Sequence, residues 1–218
     1  MSEISRTKKI TTIAMLCALA YIAVFIGRIP VVLFLKYDPK DVIITIGGFI
    51  WGPMVSLISS VIVSFIEMFT ISDNGLWGLL MNIISTCAFA CPAAFIYKKK
   101  HTAFGALIGL IAGCLCMSGV MLIWNYLITP LYMDVPREVV AGMLLGTFLP
   151  FNLIKSGLNA GITFFLYKPV VTALRKAGLV EKKTSSNKGT RPMVGYYILF
   201  AMMIITCVLL ILSYNKVI

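Results

Sequence analysis

Three polar residues lie close together in an otherwise apolar stretch, GTFLPFNLIKSGLNAG (residues 146–161). Asn152, Lys155 and Asn159 are spaced i, i+3 and i+7, so they fall on one face of a helix. A lysine inside a membrane costs about 2.5–3.5 kcal/mol to insert, and such residues usually face a cavity. Amides donate and accept hydrogen bonds, whereas an ammonium group only donates. The spacing therefore predicts one wall of a pocket for a neutral, polyfunctional solute.

Three further polar residues lie inside apolar runs. Glu67 lies in SFIEMFT, Asn82 in LLMNIIST and Asn125 in LIWNYLITPLY. Each has two interpretations, because a polar side chain in a membrane protein either bonds a neighbouring helix or faces a solute cavity. We therefore include all three among the candidate ligand-binding residues.

The composition places the chain in a membrane. Of its 218 residues, 60% are hydrophobic and 12% are charged, whereas soluble domains average roughly 45–50% and 25%. Apolar runs of about 18–25 residues recur, each long enough to cross a hydrocarbon core about 30 Å thick. We predict an all-α, polytopic membrane protein with a six-helix core and one extra C-terminal transmembrane helix.

The predicted spans divide the chain into three parts. Residues 1–176 form the six-span domain, 177–192 a basic cytoplasmic linker and 193–218 the extra helix. A turn is predicted at Gly52-Pro53, and an interfacial helix over 139–148 is predicted to break at Pro150. The spans themselves are expected at residues 10–28, 41–51, 54–72, 76–97, 103–128, 151–171 and 193–213.

Basic residues cluster in alternate loops, which predicts the orientation. The net charge is +11, and most of the Lys and Arg residues precede the first span, follow the fourth or follow the sixth. By the positive-inside rule the N-terminus is cytoplasmic and loops 29–40, 71–76 and 129–138 face outward, as expected in the cell membrane. The basic excess is thus a topology signal directed at the lipid bilayer. Nucleic acid is excluded as a partner, because no basic soluble domain is present to bind it.

The sequence lacks the motifs of catalytic and metal sites. The six cysteines all lie inside predicted spans, where they act as small apolar residues, and the only histidine, His101, ends a KKKH run. The chain has no Gly-x-Ser-x-Gly elbow, no His-Glu-x-x-His and no phosphate-binding Gly-x-x-x-x-Gly-Lys-Ser/Thr loop. We predict that the protein is not an enzyme and holds neither a metal nor a cofactor.

Four local patterns, in order, resemble those of a known transporter family. They are FLKYDPKD (34–41), IGGFIWGP (46–53), NYLITPLY (125–132) and LPFNLIKSG (149–157). Together they resemble the S components, or substrate-binding subunits, of energy-coupling factor (ECF) vitamin importers. The N-Y…P-L-Y and P-F-N-x-x-K patterns are similar to those of the riboflavin-binding members, and GGFIWGP to the wider superfamily.

The resemblance implies a substrate, partners and contact residues. It implies riboflavin as the transported substrate, captured outside the cell, with uptake driven by a transmembrane coupling subunit and two ABC ATPase subunits. Flavin contacts are implied at Asn125, Asn152 and Lys155, and Asp38 is a further contact from a loop that caps the pocket. Apolar or stacking surface is expected from Leu35, Tyr37 and Trp124.

The first span carries two alanines at small-xxx-small spacing, Ala14 and Ala18 in IAMLCALAY. The resemblance implies that they dock the coupling subunit; packing within the chain is the alternative.

Two alternative functions stay open: an S component for flavin mononucleotide (FMN), thiamine or another vitamin, and a membrane protein outside transport. The seventh span is extra to the six of S components, so a chain ending near Gly178 is predicted to fold and bind flavin.

Overall fold

The computed structural model describes residues 6–32, 35–72, 74–180 and 194–214 as a helical bundle with one small hairpin. A π-helical turn, Leu144–Phe148, joins the sixth and seventh helices. In chain order the elements are α1 (Arg6–Gly27), β1 (Ile29–Val32), β2 (Leu35–Tyr37), α2 (Lys40–Trp51), α3 (Pro53–Thr70), α4 (Gly75–Lys100), α5 (Ala103–Met133), α6 (Arg137–Met143), α7 (Leu149–Lys176) and α8 (Val194–Tyr214).

Six helical stretches in the described part of the chain are long and apolar enough to cross a membrane, which confirms the all-α membrane class. They are α1, α3, α4, α5, Arg137–Lys176 and Val194–Ser213. The helix α2 has 12 residues and rises only about 18 Å, so it is too short to cross a core about 30 Å thick by itself. The predicted turn between α2 and α3 is confirmed, because Gly52 has a φ of 100° and Pro53 begins α3.

Two local features differ from the sequence-based expectation. The outer loop contains an antiparallel hairpin in which Ile29 lies opposite Tyr37 and Pro30 opposite Lys36. The predicted break at Pro150 is wrong, because Phe148 and Leu149 keep helical backbone angles and the helix runs on into α7. Pro150 lies in the first turn of α7, directly after the π-helical turn, where its missing N–H is accommodated by the widened helix.

Three apolar clusters hold the helices together, and two of them position the parts of the chain described here. In the first, Phe49 of α2 stacks on Tyr97 of α4, and Phe164 of α7 stacks on Phe200 of α8, each with ring centroids 4.4 Å apart. In the second, Leu35 and other hairpin residues pack with the buried residues at the start of α7. The second cluster fixes the hairpin over the polar face of α7.

Candidate ligand-binding site

A cavity opens between the hairpin, the segment joining α3 to α4, and helices α4, α5 and α7. It contains about 730 Å³ of empty space, including open solvent at its mouth. Six of the residues predicted from the sequence line it together: Leu35, Asp38, Asn82, Asn125, Asn152 and Lys155. Residues on four separate parts of the chain therefore converge on one space.

Three predicted contacts lie outside this lining. Tyr37 is buried in the apolar cluster beneath the hairpin, where burial and the nearby carboxylates raise its pKa above the ordinary value. Trp124 is half-buried against the main core, and its indole N–H lacks a hydrogen-bond partner among the described residues. Glu67 is fully buried behind the wall of the cavity. Direct contact of these three with a ligand stays a prediction.

Lys155 is paired with two carboxylates. Its Nζ lies 3.4 Å from Asp38 Oδ2 and 3.9 Å from Asp41 Oδ2. On its other side Asp38 pairs with Arg28, whose Nε lies 3.1 Å from Oδ1 and whose Nη1 donates to the Ile71 carbonyl at 3.1 Å. Burial alone would raise the pKa of Asp38. Three nearby cations, Lys155 foremost and then Lys40 and Arg28, hold that pKa below its ordinary value. Asp38 is therefore an ionised clamp between the hairpin and α7.

Asp41 ties α2 to two other helices. Its Oδ1 accepts a hydrogen bond from Thr86 Oγ1 at 2.6 Å, and its Oδ2 accepts one from Asn159 Nδ2 at 3.0 Å. The predicted polar face of α7 therefore has two roles along its length. Asn152 and Lys155 line the cavity, whereas Asn159 lies one turn further along the helix and braces Asp41.

A separate ion pair, between Lys40 and Glu67, lies behind the cavity. Lys40 Nζ lies 2.7 Å from Glu67 Oε1 and 2.6 Å from Oε2, and Asn82 Nδ2 donates to Oε2 at 2.9 Å. Sequence reasoning missed Lys40, Asp41 and Arg28 as parts of the site. One signal was available: a glutamate inside a span needs a cation, and KYDPKD is the charged segment nearest in the chain.

The two asparagines predicted as flavin contacts have one end of each amide already engaged. Asn152 Nδ2 donates to the Phe148 carbonyl at 2.8 Å, which leaves its oxygen as an acceptor. Asn125 Oδ1 accepts from Thr129 Oγ1 at 3.0 Å, which leaves its NH₂ group as a donor. With Lys155 as a further donor, the cavity offers both kinds of hydrogen-bonding group within a partly apolar wall.

The two alanines of α1 lie on the outside of the bundle. Ala14 and Ala18 are exposed, whereas neighbouring Ala20 is buried against α2, α3 and α4. The exposed pair therefore makes little contact within the described chain. Their face of α1 is open to lipid or to another membrane protein.

Comparisons with known proteins agree with this architecture. "Riboflavin transporter RibU" of Staphylococcus aureus (strain TCH60) is 27% identical over 185 residues, covering 80% of this chain and 96% of the relative. "Riboflavin transporter FmnP" of Bacillus subtilis (strain 168) is 29% identical over 196 residues, covering 79% and 98%. A solved structure, "Structure and mechanism of the S component of a bacterial ECF transporter", superimposes with a TM-score of 0.66 at 25% identity, covering 78% of this chain and 99% of that one.

The match to a family model sets the boundaries of the shared domain. The model described as "ECF transporter, substrate-specific component" matches residues 8–167, from α1 into α7, and α8 lies beyond it. That family and the relatives above are transporter components rather than enzymes. The chain belongs to the family of substrate-specific components of ECF transporters.

Proposed function

We propose that this protein captures riboflavin from outside the cell for ATP-driven uptake by partner subunits. The observation that carries the proposal is the convergence of Asn125, Asn152, Lys155 and Asp38 on one cavity. Two relatives that align over almost their whole length are named as riboflavin transporters. The same alignment supports a cell-membrane location, with the N-terminus in the cytoplasm by the positive-inside rule.

Riboflavin matches the groups that the cavity presents. Its ring edge is rich in carbonyl and imino acceptors and carries one N–H, and its ribityl chain carries hydroxyls. Lys155 and the NH₂ group of Asn125 can donate to the acceptors, while Asn152 can accept from an N–H or hydroxyl. Met121 and Phe151 line the same cavity and offer apolar surface to the ring.

FMN is the second candidate, and one observation favours it. Arg28 and Lys36 line the cavity beside Lys155, and phosphate is bound best by several cations. Arg28 and Lys155 are each already paired with Asp38, however, so a phosphate that binds to either of them would have to displace a carboxylate. Mass spectrometry of the ligand released from protein purified in mild detergent separates riboflavin from FMN, and the purified protein should be yellow.

The energy for uptake would come from an ECF module made of a transmembrane coupling subunit and two ATPases. Tight docking of two membrane proteins favours small residues, because lipid provides no hydrophobic drive between helices. The exposed Ala14 and Ala18 on α1 support this helix as the docking face.

Substitution of the two polar residues of α7 tests the proposal. Lys155→Ala and Asn152→Ala should each weaken riboflavin binding by about 1–3 kcal/mol, the scale of a buried hydrogen-bonding group left without its partner. Lys168→Ala is the matched control, because Lys168 lies on the same helix outside the cavity lining. Affinity is measured by quenching of flavin fluorescence on titration. Unchanged affinity in a folded double variant, or a colourless protein that binds no added flavin, would refute the proposal.

A further inference from the structure

Glu67 and Lys40 form a buried ion pair, and direct contact with a ligand in the cavity does not explain its role. Their side chains are 1% and 0% exposed, and neither lines the cavity. Burying two charges is expensive, and a buried ion pair often stabilises a protein no better than apolar residues of similar volume. We therefore look for the effect of this pair in the side chains that it contacts, rather than in the stability of the fold.

The polar residue that joins the pair to the cavity is Asn82. It lines the cavity on α4, and its Nδ2 donates to Glu67 Oε2 at 2.9 Å. The side chain of Asn82 is buried, so its few polar neighbours decide how its amide is turned.

A carboxylate allows only one orientation of that amide. Ionised Glu67 has acceptor oxygens and no donor, so the NH₂ end of Asn82 must face it and the carbonyl end must face away. Lys40 Nζ donates to both carboxylate oxygens, at 2.7 and 2.6 Å, so both oxygens of Glu67 act as acceptors. The amide oxygen of Asn82 is thereby left as the polar atom available to the cavity.

We infer that Glu67, held by Lys40, is a positioning residue that fixes Asn82 as a hydrogen-bond acceptor and so selects a ligand that donates a hydrogen bond at that point. The inference rests on the proposed function, in which the donors on the ligand are the ring N–H and the ribityl hydroxyls. A solute of the same shape with only acceptors at this point would leave the Asn82 oxygen unsatisfied.

The test removes both charges together, because an unpaired buried charge endangers folding. The neutral-pair variant Lys40→Met with Glu67→Gln keeps the side-chain volumes similar. The amide introduced by Glu67→Gln can present either its oxygen or its NH₂ group to Asn82, so the orientation of Asn82 is no longer imposed. Riboflavin affinity should fall about tenfold, the scale of one hydrogen bond. Ser64→Ala, one turn earlier on α3 and outside the cavity lining, is the matched control and should bind as the wild type does.

A double-mutant cycle distinguishes positioning from a structural role. In the background Asn82→Leu, which removes the amide, the neutral-pair change should alter riboflavin affinity by less than about twofold. A similar loss with and without Asn82 would mean that the ion pair only supports the fold, and would overturn the inference.

A measurement without ligand keeps this inference separate from the proposed function. The side-chain NH₂ resonances of Asn82 in ¹⁵N-labelled protein, assigned by their loss in Asn82→Leu, should shift in the neutral-pair variant and stay in place in Ser64→Ala. Unchanged resonances would overturn the inference, even in a protein that binds riboflavin. Wild-type protein that binds no riboflavin but shows the expected shift would reject the proposed substrate and retain the positioning of Asn82.

Discussion

The packing of α8 on α7 leads to a prediction about one glycine. A Cβ added at Gly161 would lie 2.5 Å from Ile204 Cγ1 and 2.8 Å from its Cδ1, closer than side-chain carbons pack. Gly157, one turn earlier, faces Cys207 Sγ at 3.2 Å from the same kind of added atom. This Gly-xxx-Gly spacing lets two membrane helices approach closely. We therefore expect Gly161→Ala to displace the Ile204 side chain and to weaken the packing of α8 on α7.

The size of the effect follows from two opposing contributions. Replacing a glycine inside a helix by alanine favours the helix by about 1 kcal/mol, whereas overpacking a close interface costs about 1–3 kcal/mol. Gly119→Ala on α5 gives the helix contribution alone, because an added Cβ there meets nothing within 4 Å. Relative to that control, Gly161→Ala should lower the midpoint of thermal unfolding by about 2–4 °C for each kcal/mol of overpacking.

The assay is thermal unfolding in mild detergent, with Ile204→Ala as a compensating change. Ile204→Ala removes both carbons that the added Cβ would meet, so the double variant should lose less stability than the sum of the single variants. If Gly161→Ala unfolds at the same temperature as Gly119→Ala, the added Cβ does not overpack this contact and the prediction is refuted. Additive effects of Gly161→Ala and Ile204→Ala would refute the assigned contact as well.

Two further predictions concern the surfaces outside the cavity. Ala14→Trp and Ala18→Trp should leave flavin binding in detergent intact while abolishing uptake and co-purification with the coupling subunit, because both side chains are exposed; loss of binding together with uptake would show that the alanines serve the fold. A chain ending at Gly178 should still bind flavin, because the residues described as lining the cavity precede α8. Its unfolding midpoint should fall as the packing of Phe200 is lost, and a folded truncation without binding would show that α8 belongs to the site.

The hydropathy pattern and the glycine and proline residues that end helices made most of the fold predictable. The apolar runs correspond to the long helices, and Gly52-Pro53 separates α2 from α3 because proline suits a first helical turn and glycine tolerates a positive φ. The wrong break at Pro150 came from the same rule applied without the π-helical turn, which is a backbone adjustment without a local composition signal. The hairpin was missed because its strands, Ile29–Val32 and Leu35–Tyr37, are too short for a clear alternation.

The spacing of the polar residues on α7 predicted their common face but not their separate partners. Asn152, Lys155 and Asn159 share that face, as expected for a helix, but a helix also carries i+7 about 10 Å along its axis. That rise takes Asn159 from the cavity to Asp41. Which carboxylate meets which cation depends on how α2, α3 and α7 are packed, and partners as distant as Lys155 and Asp38, 117 residues apart, leave no local pattern in the sequence.

The buried carboxylates beside and behind the cavity are all paired with cations, and this pairing bears on how a solute can bind there. Isolated buried charges are costly, so a bundle that contains several must pair them. Each of these carboxylates has a cation within 4.0 Å, and Asp38 and Lys155 each have two partners of opposite charge. An uncharged solute enters such a site without disturbing the pairs, whereas an anion that binds to Arg28 or Lys155 must compete with a carboxylate for its cation. The paired set is Arg28, Lys40 and Lys155 with Asp38, Asp41 and Glu67, and Lys36 lines the cavity outside this set. The cost of displacing a carboxylate from Arg28 or Lys155 is the physical reason for proposing riboflavin rather than its phosphate.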